Sequence, residues 1–205
     1  MNLDRQGAEG NGAASPPSAS SQGAGNARVL SGIDELRSRA RKGLEDGAVT
    51  PSYGADKETV LRLLNEALAT EILCTLRYRY HYFVAAGLAA ESIKDEFLKH
   101  AQEEQEHADQ IAERIVQLGD DPNFNPLGLT ERSHAEFGNG QSLADLIRDD
   151  LIAERVAIES YKEMIAYVGG DDPTTRRLFE SILAIEEEHA EEFASMLSNV
   201  RLASP

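Results

Sequence analysis

Glu104-Gln105-Glu106-His107 and Glu186-Glu187-Glu188-His189 are two copies of one pattern, Glu-x-x-His, each embedded in a long run of helical periodicity. A lone glutamate set among apolar residues precedes each copy: Glu71 lies 33 positions before Glu104, and Glu154 lies 32 before Glu186. Each lone glutamate is followed seven residues later by a tyrosine, Tyr78 and Tyr161. Two similar halves therefore each supply a carboxylate on one helix and a carboxylate plus an imidazole on the next. Residues three apart on a helix share a face, so Glu-x-x-His presents an oxygen and a nitrogen to one point. Together these side chains form the ligand set of a dinuclear metal site inside a four-helix bundle.

The surrounding periodicity supplies that bundle. Helical stretches are predicted over residues 56–86, 90–118, 142–168 and 172–200. In the first, Val60, Leu64, Ala67, Glu71, Cys74, Tyr78 and Tyr82 form one stripe; in the last, Phe179, Ile182, Glu186, His189, Phe193, Met196 and Val200 do. Steps of three and four mark a single buried face. At about 28 residues a helix is about 40 Å long. Asp56 is predicted to cap the first helix and Gly87 to stop it. Ser142-Leu143-Ala144-Asp145 reads as a capping box, and Asp172-Pro173 as a cap with proline at the first helical position. Residues 119–141, broken by Gly119, Pro122, Pro126, Gly128, Gly138 and Gly140, are too long for a hairpin turn and suit a crossover along the bundle.

Glu71, Glu104, Glu154 and Glu186 occupy core positions, as do His107 and His189. A buried, unpaired carboxylate costs several kcal/mol even after relaxation, and four together repel one another. No Lys or Arg is expected on these stripes at that level. Two divalent cations would balance the four carboxylates, with neutral imidazoles completing the shells. Other motifs read more plainly. Glu131-Arg132-Ser133-His134 is a third Glu-x-x-His, in the crossover, and reads as a surface copy. His100 reads as a histidine at the core edge, behind the ligands, and His81, with no carboxylate three or four residues away, as peripheral. Cys74 reads as a small core residue near the site. The repeated tyrosines suit either aromatic core or hydrogen bonding and electron transfer.

The rest of the chain sets bounds. Residues 1–27 hold five Gly, six Ala, four Ser and two adjacent Pro, a composition that predicts disorder. Residues 28–55 predict a short helix over 31–43, capped by Ser31 or Asp34 and stopped by Gly43, then a linker; residues 201–205 form a short tail. The small basic cluster Arg37, Arg39, Arg41 and Lys42 fits a solvated helix. Residues 56–200 carry 30 acidic against 13 basic side chains, a balance of −17 where the whole chain has −16, so the acidic charge sits in the bundle. Such a surface attracts cations and disfavours nucleic acid, and it also simply keeps a protein soluble. One cysteine excludes a disulfide framework and a four-cysteine metal site within the chain. No apolar run approaches the ~20 residues of a membrane span, and no leader pattern is present, which predicts a cytoplasmic protein.

Over residues 56–200 the chain resembles the ferritin-like superfamily, and within it the bacterioferritins and Dps-like ferritins. The resemblance rests on Glu71 with Tyr78, Glu104 to His107, the long crossover, Glu154 with Tyr161, and Glu186 to His189. It implies an all-α four-helix bundle with two irons per subunit, manganese being the alternative metal. Glu71 and Glu154 would be terminal ligands, Glu104 and Glu186 bridges, and His107 and His189 one ligand each. Tyr78 and Tyr161 would assist from behind. Gln105 stands where bacterioferritins carry their haem-ligating Met, so no haem is expected, and no fifth helix is expected before Pro205. The resemblance implies a homo-oligomeric shell, with twelve subunits favoured over twenty-four. The implied function is iron storage with ferroxidase activity, Fe(II) being oxidised by O2 or H2O2 with protection from oxidative stress. A rubrerythrin-like peroxidase served by an external electron donor, or a purely structural bundle, are the alternatives.

Overall fold

The computed structural model describes residues 31–203 apart from 88–89, with the side chains of 201–203 left out. The Gly/Ala/Ser-rich segment 1–27 lies outside the described residues. The elements are α1 (Ile33–Ala40), α2 (Lys57–Val84), α3 (Ala90–Gln117), α4 (Leu129–Arg132), α5 (Leu143–Val168) and α6 (Pro173–Ala203), with a 3-10 turn at Leu44–Asp46. No strand occurs among the described residues. The fold is an all-α bundle in which α2 packs mainly on α3, and α5 mainly on α6.

The caps partly match expectation. Ser142 accepts from the Asp145 amide at 3.2 Å and donates back to its carboxylate at 2.7 Å, closing α5 at its start. The Thr175 amide donates to Asp172 at 2.9 Å, as an N-cap before Pro173 requires. Asp56 stands at the N-cap position without a side-chain bond to the backbone, and instead takes the Thr59 hydroxyl. Neither Ser31 nor Asp34 caps α1: Gly32 is its N-cap, and Ser31 is held by Arg39 at 3.0 Å. Gly87 turns the chain between α2 and α3 with φ 115, a conformation that other residues adopt only with strain. The helix before it ends at Val84, two residues short of the predicted end, and α6 continues through the predicted tail to Ala203.

The crossover carries its own short helix, α4, and climbs along α2. The Asn123 amide donates to Asn65 Oδ1, and the His134 amide to Thr70 Oγ1. Arg77 Nη1 then donates to the Glu136 carbonyl, and His81 Nε2 lies 3.1 Å from that of Gly138. The anchors rise in register, Asn65 to His81, which spans about 24 Å at 1.5 Å per residue. The connection thus reaches the far end of the bundle, where α5 begins.

Two apolar clusters fill the interior. One contains Leu73, Cys74, Tyr78, Phe97, Ile147 and Phe193; the other contains Leu64, Leu68, Ile111, Tyr161, Met164 and Phe179. In sequence on every long helix, the four glutamates and two histidines fall between the members of these clusters. The polar layer is therefore walled by apolar packing on both sides. At the outer end, Asp172 receives Arg114 and the Tyr53 hydroxyl at 2.9 Å each, pinning the linker before α2 onto the bundle. Among the described residues no helix is long and apolar enough to cross a membrane.

Candidate metal centre

Each hairpin brings its carboxylates and imidazole to the same level. Glu71, Glu104, His107 and Glu186 each offer one ligand atom, and these atoms all lie within 4.8 Å of one another. So do those of Glu104, Glu154, Glu186 and His189. Glu104 and Glu186 belong to both groups, while each remaining glutamate and histidine belongs to one. His107 Nδ1 lies 3.5 Å from Glu71, 3.4 Å from Glu104 and 3.1 Å from Glu186. His189 Nδ1 lies 3.5 Å from Glu104, 3.8 Å from Glu154 and 3.9 Å from Glu186. All six side chains are buried.

The donor set fits metal ions. Glu104 Oε1, Glu186 Oε1, His107 Nδ1 and His189 Nδ1 are buried and have no hydrogen-bond partner of sound geometry. Unsatisfied buried polar atoms are costly, and these fall as two pairs, His107 Nδ1 3.1 Å from Glu186 Oε1 and His189 Nδ1 3.5 Å from Glu104 Oε1, each marking a place for something charged. Oxygen and imidazole donors of this kind suit iron or manganese. Without metal, protons balance the charge. Burial lifts Glu71 to about 8, with the Glu104 charge adding to it; burial pushes Glu104 up as well, but the hydrogen bonds from Glu71, His107 and His189 together outweigh it and hold Glu104 low. Glu186 is raised by burial and by Glu104 and Glu154, and Glu154 is held low against burial by Glu186 and His189. Burial alone would lower both imidazoles, yet the facing carboxylates lift His107 to about 10 and His189 to about 11.

The tyrosines cross between the halves. Tyr78, on α2, donates to Glu154 Oε1 on α5, and Tyr161, on α5, donates to Glu71 Oε1 on α2. In each carboxylate the other oxygen is the one that faces a histidine: Glu71 Oε2 faces His107 and Glu154 Oε2 faces His189. Burial and the nearby carboxylates keep Tyr161 protonated far above its usual range. Burial likewise keeps the Cys74 thiol neutral. Glu131 and His134 are exposed, outside both groups. Gln105 is exposed and donates to Asp109 at 3.0 Å.

One expectation fails beside the cluster. His81 is not peripheral; it is fully buried, with Nδ1 2.8 Å from Asp150. Its carboxylate partner comes from another helix, so local spacing could not reveal it. A buried basic residue, off the predicted stripe, also lies near the cluster. Arg77 is fully buried and donates through Nε to Asp150 at 2.9 Å, with its guanidinium 5.3 Å from the centre of the Tyr78 ring. The one local signal was Asp150 itself, a charge interrupting the apolar stripe of α5 four residues before Glu154. Glu103 was also missed: its carboxylate lies 3.0 Å from His189 Nε2 and fixes that ring from behind.

Comparison with known proteins agrees with this architecture. The ferritin-like domain pattern matches residues 61–203. A bacterioferritin of Mycobacterium avium is 30% identical over 139 residues, 67% of this chain and 83% of that one. A DNA protection during starvation protein of Pyrococcus furiosus is 31% identical over 156 residues, 71% and 80% of the two chains. Among solved structures, the dodecameric thioferritin of Bacteroides fragilis superposes with a TM-score of 0.70 at 30% identity, over 73% of this chain and 90% of that one. The bacterioferritin of Desulfovibrio desulfuricans, whose structure describes a diiron site, gives 0.63 at 25% identity, over 71% and 81%. The domain match spans the four helices that carry the clustered glutamates and histidines, and on that ground the chain belongs to the ferritin family, with bacterioferritins and Dps proteins as its relatives.

Proposed function

We propose that the protein is a ferroxidase that stores the iron it oxidises. Glu71 and His107 hold one Fe(II), Glu154 and His189 hold the other, and Glu104 and Glu186 are shared. The observation that carries this reading is the pair of four-residue groups with two carboxylates in common. Iron, when bound, supplies the electrons that O2 or H2O2 takes up. The chain's own residues do the rest. Tyr161 and Tyr78 each occupy one oxygen of a terminal carboxylate and leave the other for an ion. The protons held by His107, His189, Glu71 and Glu186 leave as ions bind, so the cluster is neutralised in either state. The two apolar clusters limit water on both sides of the layer.

The acidic charge of residues 56–200 supports a role in gathering cations. The Bacteroides fragilis relative is described as dodecameric, which supports a hollow shell of twelve copies here. The test is an anaerobic Fe(II) titration, then oxidant, then size-exclusion chromatography with iron detection. Two ions bound per chain, oxidation, and many further irons co-eluting with a large assembly are expected. Peroxide turnover with no iron retained beyond two per chain would establish a peroxidase instead.

A further inference from the structure

Gly138-Asn139-Gly140 closes the crossover just before α5 and takes no part in the metal centre. Gly140 is imposed by packing. A Cβ built on it would lie 2.6 Å from Asp145 Cβ and 2.8 Å from the main chain of Asp145 and Leu146, so no side chain fits there against the first turn of α5. Gly138 likewise leaves room for the Asp149 side chain, and its carbonyl lies 3.1 Å from His81 Nε2. Asn139, between them, is exposed. Its carbonyl accepts from Gln141 Nε2 at 3.3 Å, while its side-chain amide has no hydrogen-bond partner among the described residues.

A glycine after an asparagine leaves its main-chain nitrogen unshielded, and that nitrogen can attack the asparagine side chain. Here Gly140 N would bond to Asn139 Cγ as the bond from Cγ to Nδ2 breaks. The Gly140 amide proton passes to solvent, and Nδ2 gains one and leaves as ammonia. Water then opens the cyclic imide at either carbonyl, which gives aspartate or isoaspartate with no change of oxidation state. In the folded chain the attacking atom is held. The Gly140 amide donates to Asp149 Oδ2 at 3.1 Å. To reach Cγ the main chain must turn and give up that contact. Losing a hydrogen bond to a charged group slows a step that requires the loss by at least about tenfold.

We propose that Asn139 is a self-modification site, latched by the Asp149 carboxylate, at which the chain converts to aspartate and isoaspartate as it ages. The mark falls where the crossover hands over to α5, the helix that carries Asp150 and Glu154. The new charge stands one residue from the Gly140–Asp149 contact, and isoaspartate lengthens the main chain between that contact and the His81 tie. Both changes disfavour the anchor. The inference is independent of what fills the metal centre. Full-length protein, unaltered and Asp149→Ala, is aged at neutral pH. Peptide mapping by mass spectrometry follows the amide-to-acid mass gain at Asn139, and isoaspartyl methyltransferase labels the isomer. Asp149→Ala should convert at least about tenfold faster than the unaltered chain. Gln141→Ala, which removes a neighbouring bond and leaves the Gly140 amide held, should convert at the unaltered rate. No conversion at Asn139 in either the unaltered chain or Asp149→Ala overturns the site. An equal or slower rate in Asp149→Ala overturns the latch, as does an equal acceleration in Gln141→Ala. If Asp149→Ala does not fold, Asp149→Asn, which keeps an acceptor without the charge, must still convert faster, and an unchanged rate overturns the latch. Hydrogen exchange at the Gly140 amide should quicken in Asn139→Asp, and unchanged exchange overturns the effect on the anchor.

Discussion

The α2–α3 and α5–α6 hairpins carry the same ligand types at nearly the same spacing, yet they surround them differently. The Tyr161 hydroxyl meets Glu71, and its ring packs against Phe179 at 5.6 Å. Tyr78, its counterpart, stacks on Phe193 and also meets His100 at 5.5 Å and the Arg77 guanidinium. The residue before Tyr78 is the buried Arg77, whereas the residue before Tyr161 is Ser160. Four residues before Glu154 stands Asp150, and four before Glu71 stands Ala67. His189 is fixed through Nε2 by Glu103, while among the described residues His107 has no such partner. Duplication of the carboxylate–imidazole groups gives two sets of side chains that could each hold a metal ion. The unequal surroundings make the two groups chemically distinct.

The largest effect should come from what the halves share. Glu104→Ala removes a carboxylate from both groups and Glu71→Ala from one. Changes even to residues behind a metal ligand cost ten- to a hundredfold. Glu104→Ala should therefore lower the Fe(II) oxidation rate by at least about a hundredfold and abolish binding of both ions. Glu71→Ala should spare one ion. A Glu104→Ala protein that still binds one ion at undiminished affinity would show that the groups do not share that carboxylate.

The next effect belongs to one half alone. Arg77→Met leaves Asp150 buried with His81 as its remaining partner. Breaking a buried pair from one side costs roughly 3–5 kcal/mol, so the melting temperature should drop steeply. Arg77→Met combined with Asp150→Leu should recover much of that loss. Ser160→Ala, at the matching position in the other half, should stay within about 0.5 kcal/mol of the parent protein. Equal destabilisation by Arg77→Met and Ser160→Ala would remove the asymmetry.

These residues also show how far the sequence was readable. Glu104 with His107, and Glu186 with His189, are three apart on one helix, so periodicity alone put each pair on a common face. The repeat then linked Glu71 with Glu154. The triad of Arg77, His81 and Asp150 spans two helices separated by some seventy residues, and no local rule joins them. His81 looked peripheral because only its own helix could be searched for a partner. The crossover was legible as a length and a set of breakers. Its ascent along α2 depends on single bonds, such as that from the His134 amide to Thr70. That the tyrosines serve the opposite half was likewise invisible, since a spacing of seven shows which face a residue shares and not what it touches.

Proton balance gives a pH test of moderate size. His107 and His189 titrate at about 10 and about 11 in the folded metal-free protein, well above an ordinary histidine at about 6.5. Glu71 at about 8 lies above an ordinary carboxyl. In each case the folded state holds a proton that the unfolded chain has released. The stabilisation is complete below the unfolded pKa and fades as pH rises through the folded one. Metal ions compete with these same protons, so the melting increment produced by Co(II) should grow between about pH 6 and pH 9. An increment that is flat or shrinks over that range would contradict the protonated cluster.

The smallest effects come from the two tyrosine hydroxyls, and their inequality tests the contrast between the halves most directly. Tyr161→Phe leaves Glu71 Oε1 without its hydroxyl donor, on a carboxyl that burial and the Glu104 charge already incline to keep its proton. That proton becomes harder to displace, and one ion should bind about tenfold more weakly. Tyr78→Phe leaves Glu154 Oε1 in the same position, but the Arg77 charge still helps to hold Glu154 ionised. Its ion should weaken only a few-fold, with each variant losing about 1 kcal/mol of stability. Stepwise Co(II) titration of both variants separates the two ions. Equal weakening would mean that Arg77 serves the fold alone, and a larger loss in Tyr78→Phe would reverse the assignment of which half is electrostatically supported.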